Sequence, residues 1–197
     1  FEGFFNTLIS PPGIETTLKV KDRIVTLDSR SPISTLELTL PTVIADQEGN
    51  MKRSRRVTAV ELYEPTADEV PHIYELGIPV VATDGDRWHI KVPLTSDRDN
   101  VTPAYLAELR VAVLNASAHL LDKEDFSESW VAAASSDDRC TDGVTERVMT
   151  ARFGEKRVSY DPSNPEANRR ASANGFTVIS GGALTRGQWA NAKSASA

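Results

Sequence analysis

Hydrophobic and polar positions alternate in several segments of the first half of the chain. The run IETTLKVKDRIVTL (14–27) breaks at Lys21-Asp22, which predicts two short strands joined by a tight turn. In ISTLELTL (33–40), Ile33, Leu36, Leu38 and Leu40 face polar partners, the signature of a half-buried strand. Pro41 is expected to close that run unless TVIAD continues it as an edge. QEGNMKRSRR reads as a turn centred on Gly49 and Asn50, leading into a strand at VTAVELYEP (57–65). A short helix is expected between Ala67 and Leu76, ended by Gly77. PVVAT (79–83), the turn Asp84-Gly85-Asp86 and RWHIKVPL (87–94) then read as an antiparallel hairpin.

The period changes after residue 100. Thr102 offers a hydroxyl N-cap and Pro103 suits the first helical position. Leu106, Leu109, Val113, Ala116 and Leu120 recur at spacings of three and four, an apolar stripe suited to packing across a sheet. A second helix is expected at about 124–134, before the polar run SSDDRCTDG. GVTERVMTARF and KRVSYDP read as strands, PEANRRASAN as a helix ended by Gly175, FTVIS as a strand and TRGQWANAKS as a last helix. The expected fold class is α+β. A mixed or antiparallel sheet with packed helices is placed over 1–122, and a helix, polar linker and small α/β extension over 123–197.

Composition narrows the function. A chain of 197 residues is long enough to bury a sizeable core without covalent staples. Its one cysteine, Cys140, excludes a disulfide framework and any multi-cysteine metal site. His72, His89 and His119 lie far apart without ligand spacing, so no metal site is expected. A net charge of −6 argues against a binder of nucleic acid that is basic throughout. With no apolar run of about 20 residues and no secretory signal, the expectation is a cytoplasmic protein without a membrane partner. The opening FEGFF lacks an initiator methionine and sets Phe1, Phe4 and Phe5 at a terminus. It reads as a cut inside a longer polypeptide, with an N-terminal neighbour.

Few segments carry chemistry. ISGGALTRG (179–187) has neither the lysine of a P-loop nor GxGxxG spacing, and its glycines suit an ordinary turn. No GxSxG elbow is present. The acidic residues around Cys140 are expected to raise its pKa, and His89, between Trp88 and Ile90, reads as a partly buried structural histidine. Lys52, Arg53, Arg55 and Arg56 form the one concentrated basic cluster. It suits phosphate contacts, a protein partner or the protection of a strand edge, and it has no aromatic stacking platform beside it. The segment VPLTSDRDNV (92–101) places Arg98 between Asp97 and Asp99, just ahead of the long helix. An arginine on a loop anchored at both ends can stabilise charge on a phosphoryl group. It can equally offset the two flanking aspartates or brace the helix start.

PLTSDRD (93–99) resembles the PLNxSRE segment of the ninety-kilodalton heat-shock chaperones, which lies in their middle domain just before a helix. RVTAVELYEP, HIYELGIPVV and PLTSDRDNVTPAYL also resemble the middle portion of bacterial and phage-encoded ATP-binding proteins. Those proteins carry an N-terminal ATPase module of the gyrase B, heat-shock chaperone, histidine kinase and MutL (GHKL) class. The element order over 1–121 is similar to that class's transducer domain, whose core resembles a domain of a small-ribosomal-subunit protein. The resemblance implies that Arg98 contacts the γ-phosphate of ATP, with Ser96 and Asn100 among the residues shaping the loop. It implies ATP and Mg²⁺ in the full-length protein, held by an N-terminal ATPase domain, and a possible homodimer. This chain would not turn ATP over alone. Asp97 and Asp99 depart from the family's serine and glutamate, and 135–197 has no counterpart in the chaperones. The alternative is a non-enzymatic module that binds protein or nucleic acid through the 52–56 cluster.

Overall fold

The computed structural model describes residues 2–83, 85–94, 101–122 and 125–179. Two compact units make up the chain, Phe1–Glu108 and Leu109–Ala197. The fold class is α+β.

The first unit begins with one helical turn, α1 (Glu2–Phe5), and the antiparallel pair β1 (Thr17–Val20) and β2 (Arg23–Thr26). The turn expected at Lys21-Asp22 joins them, with Lys21 at a φ of 53°. Five further strands follow: β3 (Ser34–Ala45), β4 (Met51–Tyr63), β5 (His72–Glu75), β6 (Ile78–Ala82) and β7 (His89–Lys91). They form one mixed sheet in the order β3-β4-β7-β5-β6.

Three expectations are corrected in this sheet, and the alternative at Pro41 holds: TVIAD continues β3 as an edge, paired with β4 from Ser34↔Leu62 to Ala45↔Met51. β3 is an edge strand, where the missing N–H of proline costs no ladder bond; Pro79 occupies the other edge strand, β6. The basic cluster lies inside β4 rather than in a turn. The turn is Asp46–Asn50, where the Asp46 carboxylate accepts from the Glu48 and Asn50 amides at 2.9 and 2.8 Å.

Residues 67–76 form no helix. Leu76 and Gly77 both have positive φ, 51° and 85°, and make a two-residue hairpin turn between β5 and β6. A glycine after an apolar run serves a helix end and a hairpin equally well, which is why the segment read as helical. Nor does β7 pair with β6. It inserts between β4 and β5, antiparallel to β4 through Leu62↔Ile90 and parallel to β5 through Ile73↔Ile90. The physical reason is burial. Trp88, His89, Ile90 and Val92 are all at most 2% exposed, a run that suits only a central strand, whereas β6 is partly exposed throughout.

Opposite the Leu62–Ile90–Ile73 row, Tyr63 and Tyr74 pack with Ile9 of the N-terminal segment. The Tyr74 hydroxyl donates to the Thr7 carbonyl at 2.8 Å, and the Ile9 amide donates to the Gly77 carbonyl at 2.8 Å.

Helix α2 (Pro103–Ser117) starts as expected, with the Tyr105 amide donating to the Thr102 hydroxyl at 3.2 Å. Of the expected stripe, Leu109 and Val113 are buried, while Leu120 lies beyond the helix and is exposed. In the second unit α3 (Glu128–Ser136) begins where the Ser127 hydroxyl accepts from the Trp130 amide. GVTERVMTARF is helix α4 (Asp142–Phe153), not a strand; its buried Thr145, Val148 and Met149 recur at helical spacing. β8 (Arg157–Ser159), α5 (Pro165–Ala173) and β9 (Thr177–Ile179) form a parallel strand pair with a crossover helix. Arg157, wholly buried, ties β8 to α4 by donating to both Glu146 carboxylate oxygens at 2.7 Å. The last expected helix, in TRGQWANAKS, lies outside the described residues.

A Cβ on Gly77 would sit 2.0 Å from the Ile9 carbonyl oxygen, on a residue already at positive φ. Gly77→Ala is therefore expected to destabilise the first unit by roughly 2–3 kcal/mol. Chemical denaturation checks this, and wild-type stability would refute the close approach.

Candidate functional site

Chemistry gathers at two places in the first unit. The first is a cavity of about 600 Å³ where the β3–β4 hairpin meets the start of α2. Leu40, Pro41 and Val43 of β3, Val57 of β4, and Pro93 and Leu94 after β7 supply apolar wall. Arg53 and Arg56 of β4, with Tyr105 and Glu108 of α2, supply the polar groups.

Strand alternation decides how the basic cluster is used. Lys52 and Arg56 lie on one face of β4, Arg53 and Arg55 on the other. Arg55 is spent internally: it pairs with Glu108 at 2.5 Å and donates to the Thr39 carbonyl at 2.8 Å. Lys52, Arg53 and Arg56 make no ion pair among the described residues. Burial pushes the Tyr105 phenol up to about 12, with the Glu108 charge adding to the effect, so it remains a neutral donor near pH 7.

Leu94 and Thr102 flank the segment that carries Ser96, Arg98 and Asn100, and both line the cavity. The strand before that segment and the capped helix after it are both in place. Ser96, Arg98 and Asn100 themselves lie outside the described residues, as does the ISGGALTRG loop beyond Ile179.

The second place was not legible in the sequence. Arg30 donates two hydrogen bonds to Glu69, at 2.8 and 2.5 Å. Glu69 also accepts from the Thr66 amide at 2.9 Å and from His89 Nε2 at 3.2 Å. His89 Nδ1 accepts from the His72 amide at 3.1 Å, and the Tyr74 ring meets the imidazole edge-on at 5.0 Å. Both ring nitrogens are occupied and the side chain is 1% exposed, so His89 is structural and offers no free base. Burial alone would raise the Glu69 pKa. Arg30, the Thr66 amide and His89 outweigh it and bring the carboxyl down to about 2. Burial pushes the His89 pKa below its ordinary value, with Glu69 opposing.

The Cys140 thiol is pushed up chiefly by burial, with Asp137 adding a smaller part. His119 is exposed, and His72 bonds through Nδ1 to the Val70 carbonyl at 2.6 Å. Among the described residues no group of three or more His, Cys, Asp or Glu side chains is placed to hold a metal ion, and no helix is long and apolar enough to cross a membrane. No protein-family model, curated protein or solved structure matches the chain.

The Arg30–Glu69–His89 cluster sets a pH dependence. Between the unfolded histidine value near 6.5 and the lower native value, the unfolded chain binds more protons, so stability falls as pH falls. Glu69 adds a second loss as pH drops from about 4.5 toward 2. The melting temperature is expected to decline from pH 7 to pH 5 and more steeply below 4.5. A flat profile across both windows would contradict a buried neutral His89.

Proposed function

We propose that this chain is the nucleotide-sensing, transducer-like portion of a GHKL-type ATPase. In this reading Arg98 contacts the γ-phosphate of ATP held by a preceding domain and relays the change through the sheet. The observation that carries it is the setting of the motif. The resemblance requires a strand, a short polar loop and a capped helix; β7 and the Thr102-capped α2 stand on either side of 95–100. The first unit's mixed sheet accords with a transducer-like fold.

Arginine suits the role because its planar fork stays charged and binds phosphate oxygens two at a time. ATP and Mg²⁺ belong to the preceding module, which supplies the chemistry of hydrolysis. This chain contributes one cation, and β7, held on both sides in the sheet, gives its loop a rigid base. Closure of one domain on the other would then be a rigid-body switch.

In a polypeptide carrying that module, Arg98→Ala is expected to lower ATP turnover about 100-fold while leaving thermal stability unchanged. Arg98→Lys should recover part of it. Unchanged turnover in Arg98→Ala would overturn the reading.

A second reading is favoured by Lys52, Arg53 and Arg56, which make no ion pair among the described residues. It makes the chain a non-enzymatic module that binds protein or nucleic acid through Lys52, Arg53, Arg55 and Arg56. Binding to such a partner would weaken steeply with salt and be lost in a Lys52→Ala/Arg53→Ala variant. Salt-independent binding would count against it.

A further inference from the structure

His89 is locked in one protonation state by the donor and acceptor that flank its ring. A neutral imidazole carries a single proton. The ionised Glu69 carboxylate can only accept, so that proton sits on Nε2, 3.2 Å from Glu69 Oε2. Nδ1 keeps its lone pair and accepts from the His72 amide at 3.1 Å. The side chain is 1% exposed, so no water is at hand to rearrange this pattern. A second proton can go only onto Nδ1, where one N–H would then face another, and a buried donor loses its acceptor.

The position of that bond decides what its loss would do. His72 is the first residue of β5, and the β5–β7 ladder begins one residue later, at Ile73↔Ile90. Tyr74↔Lys91 continues it, and the Val92 amide donates to the Tyr74 carbonyl at 2.9 Å. The His72–His89 bond thus ties the two strands beyond the end of their ladder. Both histidines also line a cavity of about 470 Å³, with Val70 and Val80 in the same wall.

The groups that face the ring are Glu69, Arg30, His72 and Tyr74, with Tyr63 of β4 as its direct partner across the sheet. Glu69, brought down to about 2, stays ionised under mild acid, and its hydrogen bonds hold Arg30 charged. Burial raises both phenols, Tyr74 to about 12, so they stay neutral. His72 is the other imidazole, with Nδ1 bonded to the Val70 carbonyl at 2.6 Å.

We propose that His89 is a proton-operated latch: a second proton, taken from solvent onto Nδ1, breaks the bond from the His72 amide and opens that end of the β5–β7 seam, and with it the cavity wall, while the rest of the sheet stays paired. The latch lies wholly within the first unit and does not depend on the nucleotide-sensing role of Arg98.

NMR of the full chain tests this. The imidazole ¹⁵N signals of His89 should show the Nε2–H form at pH 7. Hydrogen-exchange protection of the His72 amide, corrected for the intrinsic effect of pH, should fall at least about tenfold between pH 7 and pH 4.5, in step with the appearance of the doubly protonated ring. The Ile90 amide should keep its protection. His89→Asn retains an acceptor for the His72 amide but takes no proton, so protection there should not vary with pH. His72→Gln removes the other imidazole and should respond as wild type does. Where His89→Asn does not fold, the wild-type signals alone decide. An Nδ1–H form at pH 7, unchanged protection at His72, an equal loss at Ile90, a full response in His89→Asn, or no response in His72→Gln would each overturn the proposal.

Discussion

The insertion of β7 between β4 and β5 is the constraint on which the rest of the first unit depends. Leu62, Ile90 and Ile73 meet in one row across three strands, and each is at most 1% exposed. That row fixes the partner of every neighbouring strand. It sends β6 to the edge, where Pro79 is harmless, and sets the point at which the chain leaves the sheet at Val92. The Val92 amide still donates to the Tyr74 carbonyl at 2.9 Å, so the strand remains anchored up to the residues that line the cavity. The nucleotide-sensing proposal starts from that exit, since it needs an anchored strand ahead of Arg98.

Charge placement follows the same logic at two depths. Near the core, Glu69 links Arg30 to His89 and binds three separate segments together. At the surface, β4 carries four cations in five residues, of which one is consumed by Glu108. A buried cluster of this kind costs stability when any member changes protonation. An exposed one retains the potential to attract an anion.

What the sequence revealed divides along local and non-local lines. The Lys21-Asp22 hairpin, the alternation of β3, the Thr102-Pro103 helix start and the strand, helix and strand β8, α5 and β9 all rest on neighbouring residues, and each was legible. The pairing of β7 was not, because it is decided by burial on both faces and not by the turn that precedes it. Residues 67–76 failed because Gly77 signals a helix end and a hairpin alike. In α4, β-branched Val144, Thr145, Val148 and Thr150 suggested a strand, and the buried spacing of Thr145, Val148 and Met149 overrode that propensity. The basic cluster was visible as composition, yet the use of Arg55 against Glu108, far along the chain, was not. The Glu69–His89 contact could not be read from sequence at all, since no spacing rule links the two.

The most direct test of the proposed nucleotide sensing is amide hydrogen exchange across 86–106, in a polypeptide carrying an N-terminal GHKL-type ATPase module, with and without a non-hydrolysable ATP analogue. The account predicts that exchange at 95–100 slows when the analogue binds, while the Ile90 amide, held in the middle of the sheet, is unchanged. Equal exchange at 95–100 in both states would contradict a loop that contacts the nucleotide.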